Sequence, residues 1–404
     1  MQLKTIKQIN SLENKTVLVR VDFNVPIKNN KVLDNSRIKS SLPTIKYLIE
    51  KKAKIILLTH VGRPAGRVVS SLKVDPIIKD LNKLLKKKVK KLESKNWKLS
   101  DKEKIEILKI IEKLKSGQVA MLENIRFSAD EKNNTGTLSQ ELANLADFFV
   151  LDGFAVAHRD SASVTGVAKY IPAYAGLLLQ KEIKALQKIT DKTQHPFVAI
   201  VGGAKAETKI PLLKSFLKKS DSLLVGGGIF NTILYASGYK VGSSLISTDN
   251  NIQKQILKIS KNKKVILPID VIVGHKNAKF FYPVDIKKKK HLICKNDEAV
   301  FDVGPKTILK FSKKIKSAKT LVWNGAFGYF EKKPYDHGTK AIARLLASRA
   351  KGSAYGVVGG GETLQVINDL GLFDDIDFVS TGGGAMLEFL SGKELPGIKV
   401  VSKK

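Results

Sequence analysis

Cysteine is nearly absent from this chain. Cys294 stands alone among 404 residues, which excludes an intrachain disulfide and fits a reducing compartment. Aromatic residues make up only 7% and sit mostly within apolar runs, so the interleaved stacking platform that single-stranded nucleic acid needs is missing. No apolar run approaches the roughly 20 residues that span a bilayer. The opening MQLKTIKQINSLENK has no apolar stretch of the secretory kind, and a cytoplasmic protein is expected. CxxC and HExxH metal patterns are missing, no Ser/His/Asp or Cys/His arrangement stands out, and neither a Walker A nor a GxGxxG spacing fits. These gaps argue against zinc, covalent-nucleophile and dinucleotide chemistry.

Arginine is also scarce. Of 71 Lys+Arg only eight are arginine, at positions 20, 37, 63, 67, 126, 159, 344 and 349, which leaves 63 lysines. The formal net charge is +34, a balance that admits nucleic acid, membrane surface or anionic metabolites as partners. The lysines lie almost everywhere, in runs such as KKKVKK (86–91) and KKKK (287–290), and read as a solvated coat. Weak, non-specific nucleic-acid binding is the expected consequence, with no specific nucleic-acid site and no membrane partner.

What is abundant is the short apolar run followed by a polar or glycine-rich turn. Ten occur: 16–23, 53–59, 118–123, 147–154, 197–203, 221–228, 264–270, 320–325, 356–361 and 377–384. Unbroken apolar runs alternating with helical patterns signal parallel strands buried on both faces, hence an α/β protein. Helical periodicity predicts Ser36–Lys51, with Ile38, Leu42, Ile45, Leu48 and Ile49 on one face. It also predicts Glu207–Lys219, with Ile210, Leu213, Phe216 and Leu217, and a long helix over Ala173–Lys188. That third helix lies between Pro172 and the polar TDKTQHP (190–196), and a domain boundary is expected near 170–195. The fold expected is two similar-sized domains, each a three-layer, Rossmann-like parallel sheet flanked by helices, joined by a bridging helix.

The halves differ in their strand ends, where open parallel sheets bind ligands. Before residue 160 these carry Asp, Asn, His and Arg, and Arg37, Arg63, Arg126 and Arg159 fall at or just after such turns. Arginine grips phosphate or carboxylate with a planar fork, whereas lysine is a point charge. Isolated surface or ion-pairing arginines are the bland alternative, and the shared placement argues against it. The ligand read from this half is small and multiply anionic, with Asp22 and Asn24 available to orient it. His60 and His158 flank arginines and read as ligand contacts rather than bases. After residue 195 the strand ends are VGG (201–203), VGGG (225–228), GGG (359–361) and GGG (382–384), each before a helical pattern. Helix starts with unobstructed backbone N–H groups favour phosphate. Lys205 and Lys209, four apart, share a face. Glu362 suits Mg²⁺ beside phosphates, although taken alone it reads slightly better as a first-turn acid complementing the helix dipole. Two anion sites, one on each domain, suggest a phosphoryl-transfer enzyme that closes like a jaw.

RVDFNVP (20–26), THVGRP (59–64), MLENIRF (121–127), AHR (157–159), VGGAK (201–205) with Lys209, VWNG (322–325), FE (330–331), VVGGGET (357–363) and STGGGA (380–385) resemble phosphoglycerate kinase, in the order and spacing of that family across essentially the whole chain. The resemblance implies reversible transfer between 1,3-bisphosphoglycerate and Mg-ADP, giving 3-phosphoglycerate and ATP, in line after hinge closure, by a monomer with Mg²⁺. It implies a phosphoglycerate-binding domain over 1–170, an interdomain helix over 171–190, a nucleotide-binding domain over 191–385, and a segment 386–404 packed back on the first domain. By position, Asp22, Phe23, Asn24, Arg37, His60, Val61, Gly62, Arg63, Arg126 and Arg159 would serve the phosphoglycerate. Arg37, Lys205 and Lys209 would be catalytic. Lys209, Glu331, Gly360, Gly361, Glu362 and Thr363 would serve the nucleotide, with Glu362 toward the metal. The chain departs from the family pattern with GGGET for GGGDT, DGFAVAHR for DAFGTAHR (Ala155, Val156), WNGA for WNGP (Ala326), and Thr208 where Asp is more usual. These departures bear on metal geometry and rate. A catalytically weakened polyanion binder of the same fold is the alternative, and the intact arginine set argues against it.

Overall fold

The computed structural model describes residues 2–93, 101–289 and 291–403. Outside them lie Met1 and residues 94–100 of the expected first domain, Lys290 of the lysine run, and Lys404 of the C-terminal segment. The chain forms two compact units, residues 1–184 with 394–404, and residues 185–393.

In the first unit six parallel strands form one sheet: β1 (Thr16–Arg20), β2 (Lys54–Leu58), β3 (Lys90–Leu92), β4 (Val119–Leu122), β5 (Phe148–Leu151) and β6 (Ala173–Ala175), in the order β3-β4-β2-β1-β5-β6. Val17 faces Ile55 on one side and Phe148 on the other. The central strands are buried because VLV, IILL and VAML leave no polar face. Helix α1 (Ser36–Glu50) buries Ile38, Ser41, Thr44, Ile45 and Leu48. The predicted periodicity is there, but Ser41 and Thr44 replace Leu42 and Ile49 at the deepest positions, because the Thr44 hydroxyl is bonded to buried Asp152 at 2.6 Å. Residues 394–404 close the unit. Gly397 N–H donates to Ala157 O at 2.8 Å, Lys4 N–H to Val401 O at 2.7 Å, and Lys403 N–H to Gln2 O at 2.9 Å.

The predicted helix over Ala173–Lys188 needs correction. Residues 173–175 are strand, paired with Phe149–Leu151, and the helix is α2 (Leu177–Thr190). Gly176 separates the two. The start of α2 is fixed by side chains, since Leu177 N–H donates to Thr44 Oγ1 and Leu178 N–H to Asp152 Oδ1, both at 3.0 Å. The division between the units falls within α2.

The second unit has its own six-stranded parallel sheet. Its strands are β7 (Phe197–Val201), β8 (Ser222–Val225), β9 (Val265–Ile266), β13 (Thr320–Asn324), β14 (Tyr355–Gly359) and β15 (Phe378–Ser380), in the order β9-β8-β7-β13-β14-β15. Between β9 and β13 the chain adds a three-stranded antiparallel sheet of β10 (Asp270–Gly274), β11 (Phe281–Asp285) and β12 (Ala299–Val303). The predicted run 264–270 is therefore two pieces: Pro268, with no N–H to give a ladder, separates β9 from β10. The predicted helix Glu207–Lys219 is likewise a 3₁₀ turn over Glu207–Lys209 followed by α3 (Ile210–Lys219), which begins where Pro211 is tolerated. It buries Leu212 rather than Leu217. Helix α4 (Gly227–Ala236), α5 (His337–Lys351) and α6 (Gly361–Asp369) follow β8, β13 and β14. Numbered within its own sheet the order is 3-2-1-4-5-6, the doubly wound arrangement whose crevice opens between the first and fourth strands. Here those are β7 and β13, ending in VGG and NG.

Candidate functional site

Each unit carries a polar cluster beyond the carboxyl ends of its own sheet. In the first unit β1 runs into Arg20 and Asp22, β2 into Thr59 and His60, and β4 into Glu123, Asn124 and Arg126. The turns between them are tied by side chains. Asn124 Oδ1 accepts from Val61 N–H at 3.0 Å and from Arg126 N–H at 3.2 Å, while its amide donates to Val61 O at 2.8 Å. Asn24 Oδ1 accepts from Gly62 N–H at 2.9 Å, and Gly62 O accepts from Arg126 Nη1 at 2.6 Å. The backbones of Val61 and Gly62 are therefore committed to holding the loop. Phe23 is wholly buried in the core, with its N–H on Thr59 Oγ1 at 2.9 Å.

The ionic groups around that loop are crowded. Arg37, in the first turn of α1, pairs with Asp22. Arg159 Nη1 lies 3.3 Å from His60 Nε2, and Arg20 Nη2 lies 3.2 Å from His60 Nδ1. Burial pushes the His60 imidazole well below its usual range, and Arg20, Arg126, Arg159 and Arg37 push further. It is neutral, so its 3.7 Å approach to Asp22 is not an ion pair. Arg126 is brought down to about 10, by burial first and then by Arg159 and Arg20. Burial lowers Arg159 too, with Asp22 and Glu131 opposing. Arg63 is exposed, and its charge adds to the repulsion on Arg126 and Arg159. Like charges held this close, with their ordinary protonation disfavoured, are relieved by an anion.

In the second unit a cavity of about 500 Å³ lies beside the glycine turns, lined among others by Gly203, Gly227, Gly228, Phe301, Phe327 and Glu331. Its size and mostly apolar wall suit a small organic ligand. Phe301 stacks on Tyr335 at 4.4 Å between ring centres. Glu362 and exposed Glu331 lie on its wall. The Lys209 ammonium donates to Asn324 Oδ1 and is brought down to about 8 by burial, with Glu362 opposing. Asn324 Nδ2 donates to Gly359 O at 2.7 Å. Gly360, which caps α6, has φ +99°, and a Cβ there would sit 2.9 Å from the Asn324 amide nitrogen; only glycine fits this turn. Gly361 is exposed, with open space beside it. Thr363 is buried, its hydroxyl oxygen taken by Gly325 N–H at 2.7 Å. Lys205 is exposed on the turn before Lys209.

Among the described residues no group of three or more His, Cys, Asp or Glu could hold a metal ion. The exposed Glu362 carboxylate accepts Ala326 N–H at 3.4 Å. It fits a Mg²⁺ ion whose remaining ligands are phosphate oxygens and water, the usual way of binding Mg²⁺ with a single carboxylate.

Four polar residues escaped the sequence reading. Arg20 was hidden in an apolar strand, and Asn124 and Asn324 stood within quoted motifs without a role. Their signal was available: Arg20 and Asn324 are the polar residues that end buried strands, and Asn124 lies two residues past the end of one. Glu131 had no signal, since its partners lie 30 and 32 residues away.

A family model described as Phosphoglycerate kinase matches residues 6–393. Among curated proteins, one named phosphoglycerate kinase from Dictyoglomus turgidum is 43% identical over 409 residues, covering 100% of both chains. Another of that name, from Moorella thermoacetica, is 40% identical over 405 residues, covering 99% of each. The solved phosphoglycerate kinase of Coxiella burnetii superposes with a TM-score of 0.82 at 39% identity, over 99% of this chain and 100% of that one. That of Pyrococcus horikoshii OT3 gives 0.84 at 30% identity, over 99% and 98%.

Proposed function

The chain belongs to the phosphoglycerate kinase family, and from that premise we propose how its residues divide the work. The reaction is reversible phosphoryl transfer between 1,3-bisphosphoglycerate and ADP, giving 3-phosphoglycerate and ATP. An oxygen of the ADP β-phosphate attacks the acyl phosphorus, the bond from phosphorus to the acyl oxygen breaks, and the carboxylate leaves. Nothing covalent is asked of the protein, so its contribution is positioning and charge.

In this reading the phosphoglycerate occupies the first unit. Arg63, Arg126, Arg159 and His60 grip its 3-phosphate, Asn24 and Asp22 orient its carboxylate end, and Arg37 leaves Asp22 for the transferring phosphoryl group. Phe23, Val61 and Gly62 shape the loop that presents these groups. In the second unit the nucleoside fills the cavity beside Glu331 and Phe301, and the phosphates lie at Gly360 and Gly361. Lys205 and Lys209 meet the transferring charge. Thr363 acts through Gly325, whose N–H it fixes. Glu362 would hold Mg²⁺, which when bound neutralises phosphate charge. Transfer is in line after hinge closure. We further propose a cytoplasmic monomer with weak, salt-sensitive nucleic-acid binding; no helix of the described residues is long and apolar enough to cross a membrane.

The observation that carries this reading is the gathering of Arg20, Arg126 and Arg159 around neutral His60, a cation-rich cluster that the internal carboxylates Asp22 and Glu131 oppose and that a bound anion relieves further. A coupled assay with 3-phosphoglycerate and Mg-ATP tests it. Arg37→Ala lowers kcat by about 10²–10³-fold, the usual effect of removing one donor to developing charge, with KM for 3-phosphoglycerate changed far less. Near-full turnover in that variant removes Arg37 from the chemistry.

A further inference from the structure

His60 has two possible neutral forms, and each has partners. With the proton on Nδ1, the ring faces Asp22 Oδ1 at 3.7 Å, and Nε2 accepts from Arg159 Nη1 at 3.3 Å. With the proton on Nε2, Nδ1 accepts from Arg20 Nη2 at 3.2 Å. Which form prevails depends on whether Arg20 or Arg159 is the more firmly held. We propose that buried Glu131 fixes this choice through a chain of directed hydrogen bonds, leaving Nε2–H of His60 as a donor toward the bound acid. The second half of this statement rests on the placement of phosphoglycerate in the first unit.

The chain of bonds starts at a carboxyl group both of whose oxygens accept. Glu131 Oε1 accepts from the hydroxyls of Ser163 at 2.6 Å and Ser161 at 3.0 Å, and Oε2 accepts from Ser163 N–H at 2.9 Å. The single hydroxyl proton of Ser163 is thereby used, and its oxygen must present a lone pair elsewhere. That lone pair takes Arg20 Nε–H at 2.8 Å. Arg20 is 1% exposed and is pinned a second time by Nη1 on Val21 O at 2.5 Å. It cannot turn aside, and a guanidinium has no lone pair to offer. Nδ1 of His60 must therefore accept, and the proton goes to Nε2. Arg159 is only half-buried and is free to turn away from the Nε2 proton.

The charged groups facing the ring are Arg20, Arg37, Arg126 and Arg159 on one side of the balance and Asp22 on the other. Burial, and then these cations, keep the imidazole neutral, so its choice of tautomer is the one protonic freedom left to it. Nε2–H and the Arg159 guanidinium then converge as donors, and a phosphate or carboxylate oxygen between them satisfies both. The bonds of Glu131 go to Ser161 and Ser163, so it acts on His60 through Arg20 and is a positioning residue.

Glu131→Gln separates this role from simple packing. The side chain keeps its shape but has only one acceptor oxygen, while Ser163 presents a hydroxyl and an N–H to different oxygens. One of the two anchors is lost and Arg20 loosens. The measurement is long-range ¹H–¹⁵N correlation on ¹⁵N-histidine-labelled full-length protein, with the His60 signals assigned by their loss in His60→Gln. Wild-type His60 is expected as the neutral Nε2–H form. Glu131→Gln and Ser163→Ala are expected to shift a substantial fraction to Nδ1–H, and Glu131→Asp, which keeps two acceptor oxygens, to restore Nε2–H. In turnover, Glu131→Gln raises KM for 3-phosphoglycerate about 10-fold, as loss of a charged hydrogen bond predicts, with kcat and KM for ATP within about two-fold of wild type.

A wild-type Nδ1–H form overturns the proposal. So does an unshifted Nε2–H form in folded Glu131→Gln. If that variant does not fold, an unshifted form in Ser163→Ala overturns it in the same way. Titration of the wild type with 3-phosphoglycerate judges the placement of the acid separately. His60 signals unmoved by saturating ligand would overturn the donor role, whatever the tautomer does in the variants.

Discussion

In the first unit four guanidinium groups and an imidazole gather beyond the ends of β1, β2 and β4. In the second, the polar surface beyond β7, β13 and β14 is mostly backbone at glycine turns, with the Lys209 ammonium beside it. The first arrangement carries its charge on side chains and needs internal anions to hold them: Glu131 and Asp22 both oppose the lowering of Arg20 and Arg159. The second carries partial charge on N–H groups, which need no counter-ion and do not titrate. One half-site therefore depends on distant carboxylates that hold its cations in place. The other depends mainly on geometry, that is, on no Cβ standing where the chain has none, with Lys209 as its one titrating member.

The largest expected break in that contrast is at Lys209, the titrating group in the backbone-built half. Lys209→Met lowers kcat by about 10²–10³-fold in the coupled assay while KM for 3-phosphoglycerate stays within a few-fold. Because burial brings this ammonium down to about 8, it is charged below that pH and neutral above it. Wild-type kcat/KM for ATP is accordingly expected to decline as pH rises through about 8. A profile flat to pH 10 removes Lys209 from that step.

Next in size is Gly360→Ala, which acts through space alone. The new Cβ meets the Asn324 amide at a positive φ, in an extended positive-φ conformation that only glycine adopts readily and that costs another residue about 1–3 kcal/mol. It is expected to raise KM for ATP about 10-fold and leave KM for 3-phosphoglycerate unmoved, as read from initial rates with each substrate varied. Equal effects on both substrates would mean that the turn serves general stability rather than the nucleotide.

The smallest effect on turnover is expected at two buried acids whose influence is on stability, each accepting an N–H at a helix start, Asp152 at α2 and Asp302 at α5. Burial raises Asp152 to about 6, with Thr44, Ser41 and the α2 N–H groups opposing. Burial raises Asp302 to about 8, against the N–H bonds of Gly338 and Val303, and Asp336 adds to the rise. Between the ordinary value of 3.8 and these raised values the folded state binds more protons than the unfolded one. Stability is therefore lost as pH rises through each window. Asp302→Asn should flatten urea-denaturation midpoints between about pH 4 and 8, and Asp152→Asn between about pH 4 and 6. Unchanged slopes in both variants would refute this account.

Much of the fold was legible because the central strands are apolar on both faces. TVLVR, KIILL, VAML, FVAIV and TLVWN announce themselves. The edge strands Lys90–Leu92 and Ala173–Ala175 did not, being three residues long, and the second was absorbed into the helix that follows it. The antiparallel sheet was illegible for a different reason. Phe281–Asp285 carries Pro283 and exposes Phe281, so its alternation is broken at two points. In the site, arginines after strand turns were readable because arginine is rare in this chain. Glu131 was not, because an acid in the short helix Asp130–Asn133 looks like any surface acid until Ser161 and Ser163 are seen to close over it. Phe23 and Thr363 show the converse, as motif positions whose side chains serve the core.

Residues 394–404 close a unit that otherwise ends at Lys184. Every residue of 185–393 is supplied by one unbroken stretch of chain, whereas the first unit also needs Gly397 and Val401, the partners of Ala157 and Lys4. The second unit is thus self-sufficient and the first is not. A released chain ending at Lys393 should show protease resistance over 185–393 and susceptibility over the first unit.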